Sequence, residues 1–344
     1  MAEDNEHWEY GLRIDEHINS EKQMGEVILG EGSLQYTVDG QNWGGLSEQI
    51  VYKEATSVAV DSADNVYVYN RGTVPMLVFN SDGVLIDQWG DGIFKQPHGV
   101  TIGPEDHIYC VDNGDHTVRK FTKKGRLLLT IGNPGSHSSR MSGEPFNRPT
   151  HVAIDPNCGD LYVSDGYGNA RVHKYTSEGK FLFSWGESGT DPGQFNIVHN
   201  IAVDSQGLVY VADRENHRIQ IFNCQGEFIT QWVNFSRAAA ICISKVNGRE
   251  YVFVGEYFGG IASNDIGSKL GPRVSILDLE GNVIARLGRE TYGSQTGRFY
   301  CPHGISVDSR GDIYVAEVSW SDFGSKMSPP RELRSLQKLT KIGG

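Results

Sequence analysis

Val152-Ala153-Ile154-Asp155, Leu161-Tyr162-Val163-Ser164-Asp165, Arg171-Val172-His173-Lys174-Tyr175 and Phe181-Leu182-Phe183-Ser184-Trp185-Gly186 follow one another in one stretch, each a short run of strand-forming residues closed by an Asp or Gly turn. The same four runs recur as Ile201-Ala202-Val203-Asp204, Val209-Tyr210-Val211-Ala212-Asp213, Arg218-Ile219-Gln220-Ile221-Phe222 and Phe228-Ile229-Thr230-Gln231-Trp232, and again from Val100 to Gly132. Four short strands per repeat, without helical periodicity, describe a four-stranded antiparallel blade. The position two residues before each first apolar residue gives six register marks: Thr56, His98, Thr150, His199, Ala239 and His303. Six repeats, spaced about 40 to 64 residues apart, predict an all-β six-bladed β-propeller.

A propeller must close its ring. After Ile313-Tyr314-Val315-Ala316 only Ser335-Leu336-Gln337-Lys338-Leu339 remains as a third strand for the last blade, so Ser33-Leu34-Gln35-Tyr36-Thr37-Val38 is expected to supply its outer strand. Closure from the N-terminus removes the open sheet edges. Residues 1–45 are read as an N-terminal arm with the ring-closing strand, and residues 46–344 as the propeller.

Bulk composition excludes several functions. A formal charge of −12, from 43 acidic and 31 basic residues, leaves no basic stripe to neutralise phosphates, so no nucleic-acid partner is expected. No apolar run reaches the roughly 18 residues of a membrane span. The segment Met1-Ala2-Glu3-Asp4-Asn5-Glu6 lacks the charge and apolar pattern of a secretory leader, and five cysteines (Cys110, Cys158, Cys224, Cys242, Cys301) form no CxxC pair. The expectation is a cytoplasmic protein.

Topology places the start of each first strand and the end of each second strand on one rim, where the long loops also lie. His98, His199 and His303 begin first strands in every second repeat, so in a ring they converge on the axis. One such histidine is more often an ordinary polar residue; three in alternate repeats describe a metal site. Three neutral imidazoles with an open position suit a catalytic zinc, and iron, manganese or cobalt accept the same ligands. His151 stands one residue out of register and is expected to turn away from the axis. Just past the second strands stand Arg71, Asn113, Gly166, Arg214, Tyr257 and Val318. Arg71 and Arg214 face each other across the axis; they are either solvated surface cations or, beside a metal, a receptor for a carboxylate-bearing small substrate. Tyr167 enters the same space as a proton acceptor or as a buried structural tyrosine. Asp112, Asp165, Asp213 and Glu317 share one register and are read as braces for the hairpin backbone.

The repeats resemble NHL repeats, and residues 55–318 resemble the catalytic core of peptidyl-α-hydroxyglycine α-amidating lyase. The resemblance is carried by Asn70-Arg71-Gly72, Pro97-His98-Gly99, Pro149-Thr150, Ser164-Asp165-Gly166-Tyr167-Gly168-Asn169-Ala170-Arg171, Trp185-Gly186-Glu187, Pro192-Gly193-Gln194-Phe195, His199, Ala212-Asp213-Arg214-Glu215-Asn216 and Pro302-His303, in that order. It implies zinc on His98, His199 and His303, Tyr167 as the catalytic hydroxyl, and Arg71 and Arg214 around a substrate carboxylate. The implied reaction cleaves the N–C bond of an N-acyl α-hydroxyglycine to an amide and glyoxylate. The chain departs from the family at Gly304, where the family's structural calcium takes an Asp, and at Cys301, where the family has a methionine. It also departs at Gly168, Val209 and Ile221, at or near the half-cystines of secreted members. A metal-dependent hydrolase (lactonase or amidase) and a non-catalytic NHL scaffold are the other readings this sequence admits.

Overall fold

The repeat quoted first becomes the third of six blades in a computed structural model that describes residues 27–38, 43–46, 50–257, 271–288 and 292–343. Its strands run His151–Ile154, Leu161–Asp165, Arg171–Tyr175 and Phe181–Trp185, each antiparallel to the next. Blades 1, 2, 4 and 5 repeat this order, with innermost strands Ala55–Val60, Pro97–Ile102, Val198–Val203 and Arg237–Val246. The innermost strand of each blade contacts the next around the ring, and that of blade 6, Pro302–Val307, returns to blade 1.

Blade 6 closes the ring as expected and carries one strand more. Leu34–Val38 pairs with Leu336–Lys341, and Ile28–Glu31 adds a fifth, outermost strand beyond it. The addition is driven by burial: Val27 and Leu29 join Leu287 and Phe299 in the apolar cluster between blades 5 and 6. The reading of residues 1–26 as an arm lies outside the described residues.

The core is divided among the blade interfaces. Tyr162, Val172 and Ala153 of blade 3 pack against Ile201, Val209 and Val211 of blade 4, and equivalent clusters fill the other interfaces. Because strand side chains alternate between the two faces of a sheet, each blade feeds both its neighbours. Among the described residues no helix is long and apolar enough to cross a membrane.

Candidate metal centre

Alternation alone would aim the histidines at a neighbouring blade rather than at the axis. Pairing between first and second strands slips at each of them, between Pro97 and Gly99, Val198 and Asn200, and Pro302 and Gly304. These β-bulges turn one residue per blade out of the sheet. A buried carboxylate anchors the chain just upstream of each bulge. Asp112 accepts the N–H groups of Lys95 and Gln96, Asp213 that of Asn196, and Glu317 those of Tyr300 and Cys301. The bracing expected of this register is therefore found, and Asp165 does the same for Asn147. The glycines after two of the histidines are required by close approach: a Cβ on Gly99 would lie 2.6 Å from Thr150 O, and one on Gly304 2.6 Å from Ser57 Cα.

His98, His199 and His303 come together, with one ligand nitrogen from each lying within 4.8 Å of the others. All three are buried. Each is oriented by the odd-numbered blade beside it: Nδ1–H donates to the carbonyl of Thr150 from His98 (2.6 Å), of Ala239 from His199 (2.7 Å) and of Thr56 from His303 (2.5 Å). The six register positions thus alternate between imidazoles and the carbonyls that orient them. A proton on Nδ1 leaves Nε2 as a bare lone pair. Burial pushes the His303 imidazole down to about 3, and holds those of His98 and His199 well below the ordinary range. The neighbouring histidines and the charges of Arg71 and Arg214 add to burial there. Three uncharged donors converging on one point match the needs of a divalent transition metal. The calcium site implied by the resemblance does not fit: Gly304 offers no carboxylate, and its surroundings admit no side chain.

Tyr167 stands over the triad, its hydroxyl 3.1 Å from His98 Nε2 and 3.0 Å from His199 Nε2. The guanidinium groups of Arg148 and Arg214 lie 5.1 and 5.7 Å from its ring. The two facing arginines are each held by a glutamate that the sequence did not mark. Arg71 donates from Nη1 to Glu54 (2.6 Å) and from Nε to Pro97 O (3.1 Å), while Arg214 donates from Nε to Glu215 (2.8 Å). Glu215 also binds Arg237, and both arginines flank the ring of Tyr257 at 5.6 Å. Burial opposes charge on Glu215, but Arg237 and Arg214 outweigh it and hold the carboxyl below its usual range.

His151 does not turn away as expected. Its ring lies against Gly99 and the backbone of Val100 and Ile201, and it acts electrostatically on His98 and His303. Cys301 is buried with Sγ 3.5 Å from Asp322, and burial, with Asp322, raises its thiol well above the usual range.

The NHL repeat family model matches residues 94–121, 195–222 and 299–321, the three repeats that carry the histidines. NHL repeat-containing protein 3 of Homo sapiens is 32% identical over 280 residues, covering 76% of each chain. Peptidyl-alpha-hydroxyglycine alpha-amidating lyase 1 of Drosophila melanogaster is 32% identical over 255 residues, 67% of this chain and 44% of its own length. Among solved structures, a virginiamycin B lyase from Staphylococcus aureus superposes with a TM-score of 0.55 at 17% identity, over 89% of this chain and 100% of its own, which speaks to the fold alone. The chain belongs to the family of NHL-repeat six-bladed propellers that includes NHL repeat-containing protein 3, and it is homologous to the peptidyl-α-hydroxyglycine α-amidating lyases.

Proposed function

We propose that this protein is a zinc-dependent lyase that cleaves the N–C bond of an N-acyl α-hydroxyglycine or closely related hydroxy-carboxylate, releasing an amide and glyoxylate. The observation that carries this reading is the Tyr167 hydroxyl within hydrogen-bond reach of two of three convergent, backbone-oriented imidazoles. His98, His199 and His303 would hold the ion, which when bound supplies Lewis acidity toward the substrate hydroxyl.

Tyr167, acting as the phenolate, accepts the hydroxyl proton as the carbonyl of glyoxylate forms and the C–N bond breaks, and it passes that proton to the departing amide nitrogen, which restores the phenolate. Arg148 and Arg214, stacked near the Tyr167 ring, favour the negative charge that its oxygen carries before it takes the proton. Arg214 and Arg71 flank the axis and bind the polar groups of the substrate from opposite sides, which leaves it with one orientation. The five cysteines are free, which suits a reducing, cytoplasmic setting.

The test is turnover of an N-acyl α-hydroxyglycine by protein reconstituted with zinc. Glyoxylate and amide are expected in equal amounts, with one metal per chain. His199→Ala is expected to lose metal and product together. Purified protein that takes up no metal at these residues would return the chain to a non-catalytic scaffold.

A further inference from the structure

A cleft of about 400 Å³ opens on the site rim immediately beside Arg71, between the loops of blades 6, 1 and 2. Its lining includes Lys53, Glu54, Lys95, Gln96 and Trp320. Its walls are tied together in advance. Buried Glu54 accepts Arg71 Nη1 through Oε1, and the same carboxylate takes Ser321 Oγ (2.7 Å) and Ser321 N (2.8 Å). The loop that carries Trp320 is thereby clamped to the arginine that faces the histidines. Trp320 is half-buried, with the Lys53 ammonium 5.9 Å from its ring centroid. A volume of this size is ample for a drug-sized group.

The three substituents of the substrate carbon can be placed by elimination, taking the lyase reading as given. The hydroxyl belongs at Tyr167, in blade 3. Opposite the cleft, Arg214 and Arg237 share Glu215 and flank Tyr257, a corner that keeps one net positive charge and is suited to the carboxylate. Arg71 differs from Arg214: Pro97 O and Glu54 occupy its Nε and Nη1, and Nη2 alone has no partner among the described residues. With its charge already matched by Glu54, Arg71 suits a neutral amide carbonyl better than a carboxylate, whereas Arg214 and Arg237 have one carboxylate between them. We infer that the N-acyl arm leaves the metal centre across Arg71 and lies in this cleft, and that Trp320 selects substrates whose acyl group carries an aromatic ring. An aromatic ring stacked on Trp320 takes the place of the Lys53 ammonium.

The experiment compares kcat/KM for N-benzoyl- and N-acetyl-α-hydroxyglycine in the zinc-loaded wild type, Trp320→Ala and Trp320→Phe. The wild type is expected to prefer the benzoyl substrate by at least about tenfold. Trp320→Ala should collapse that ratio toward one, and Trp320→Phe should retain most of it, with unchanged thermal midpoints confirming the fold. A wild-type ratio near one, or equal losses on both substrates in Trp320→Ala, would overturn the inference. Calorimetric binding of N-benzoylglycine and N-acetylglycine separates this from the reaction itself. If neither substrate yields glyoxylate but the wild type binds N-benzoylglycine about tenfold tighter, and Trp320→Ala abolishes that difference, the cleft stands and the lyase reading falls. Equal binding of the two glycine derivatives would remove the cleft as an acyl site.

Discussion

At the scale of single residues, the chemistry depends on which nitrogen of each imidazole carries its proton. The carbonyls of Thr150, Ala239 and Thr56 decide this for His98, His199 and His303. Their neutral state also has a cost that pH exposes. In the metal-free protein all three are held below the ordinary histidine value of about 6.5, so the unfolded chain binds protons that the folded chain refuses. Stability is therefore full above about pH 6.5 and falls as the pH drops toward the folded value of about 3 for His303. The urea midpoint of metal-free protein should be lower at pH 5.5 than at pH 7.5, and His303→Gln should flatten that dependence. Tyr167→Phe removes one oxygen and no metal ligand. Its kcat should fall by about 10²- to 10⁴-fold with metal content unchanged, measured by turnover and metal analysis on the same sample.

At the scale of the element, the blade is a device for presenting its first residue. The strand runs and the axial register were legible because Asp and Gly turns punctuate every repeat and because histidines fall on alternate marks. The bulges that aim those histidines were not legible, since strand alternation reads on through Pro97-His98-Gly99 without a break. Nor could the sequence place His151, whose ring settles among strands of two other blades, or pair Arg71 with Glu54 and Arg237 with Glu215. Those contacts depend on how loops from different elements meet. The carboxylate brace makes a testable case. Asp112 accepts four backbone N–H groups, from Lys95, Gln96, Gly114 and Asp115. Asp112→Ala leaves them without an acceptor and frees the loop that leads into His98. It should cost at least about 3 kcal/mol of stability and weaken metal binding about 10- to 100-fold, read by chemical unfolding and metal titration.

At the scale of the whole molecule, the ring is closed by Leu34–Val38 pairing with the last strand. Tyr36 sits fully buried at this closure, against the core shared by blades 5 and 6. Its ring fills volume while its hydroxyl has no hydrogen-bond partner among the described residues. Tyr36→Ala should therefore cost about 3 to 5 kcal/mol, whereas Tyr36→Phe should be neutral or stabilising, as measured by thermal unfolding. The fifth strand, Ile28–Glu31, escaped the sequence reading because four residues that include a glycine carry little pattern of their own; its place is set by Leu29 packing on blade 5.

The reaction assigned to this ring breaks a bond between nitrogen and the hydroxyl-bearing carbon, whereas a hydrolase at the same histidines would break the acyl–nitrogen bond with water. Turnover of N-benzoyl-α-hydroxyglycine in oxygen-18 water, followed by mass analysis of the benzoyl product, separates the two. The lyase account predicts benzamide with no solvent oxygen. Benzoic acid carrying one solvent oxygen would contradict it.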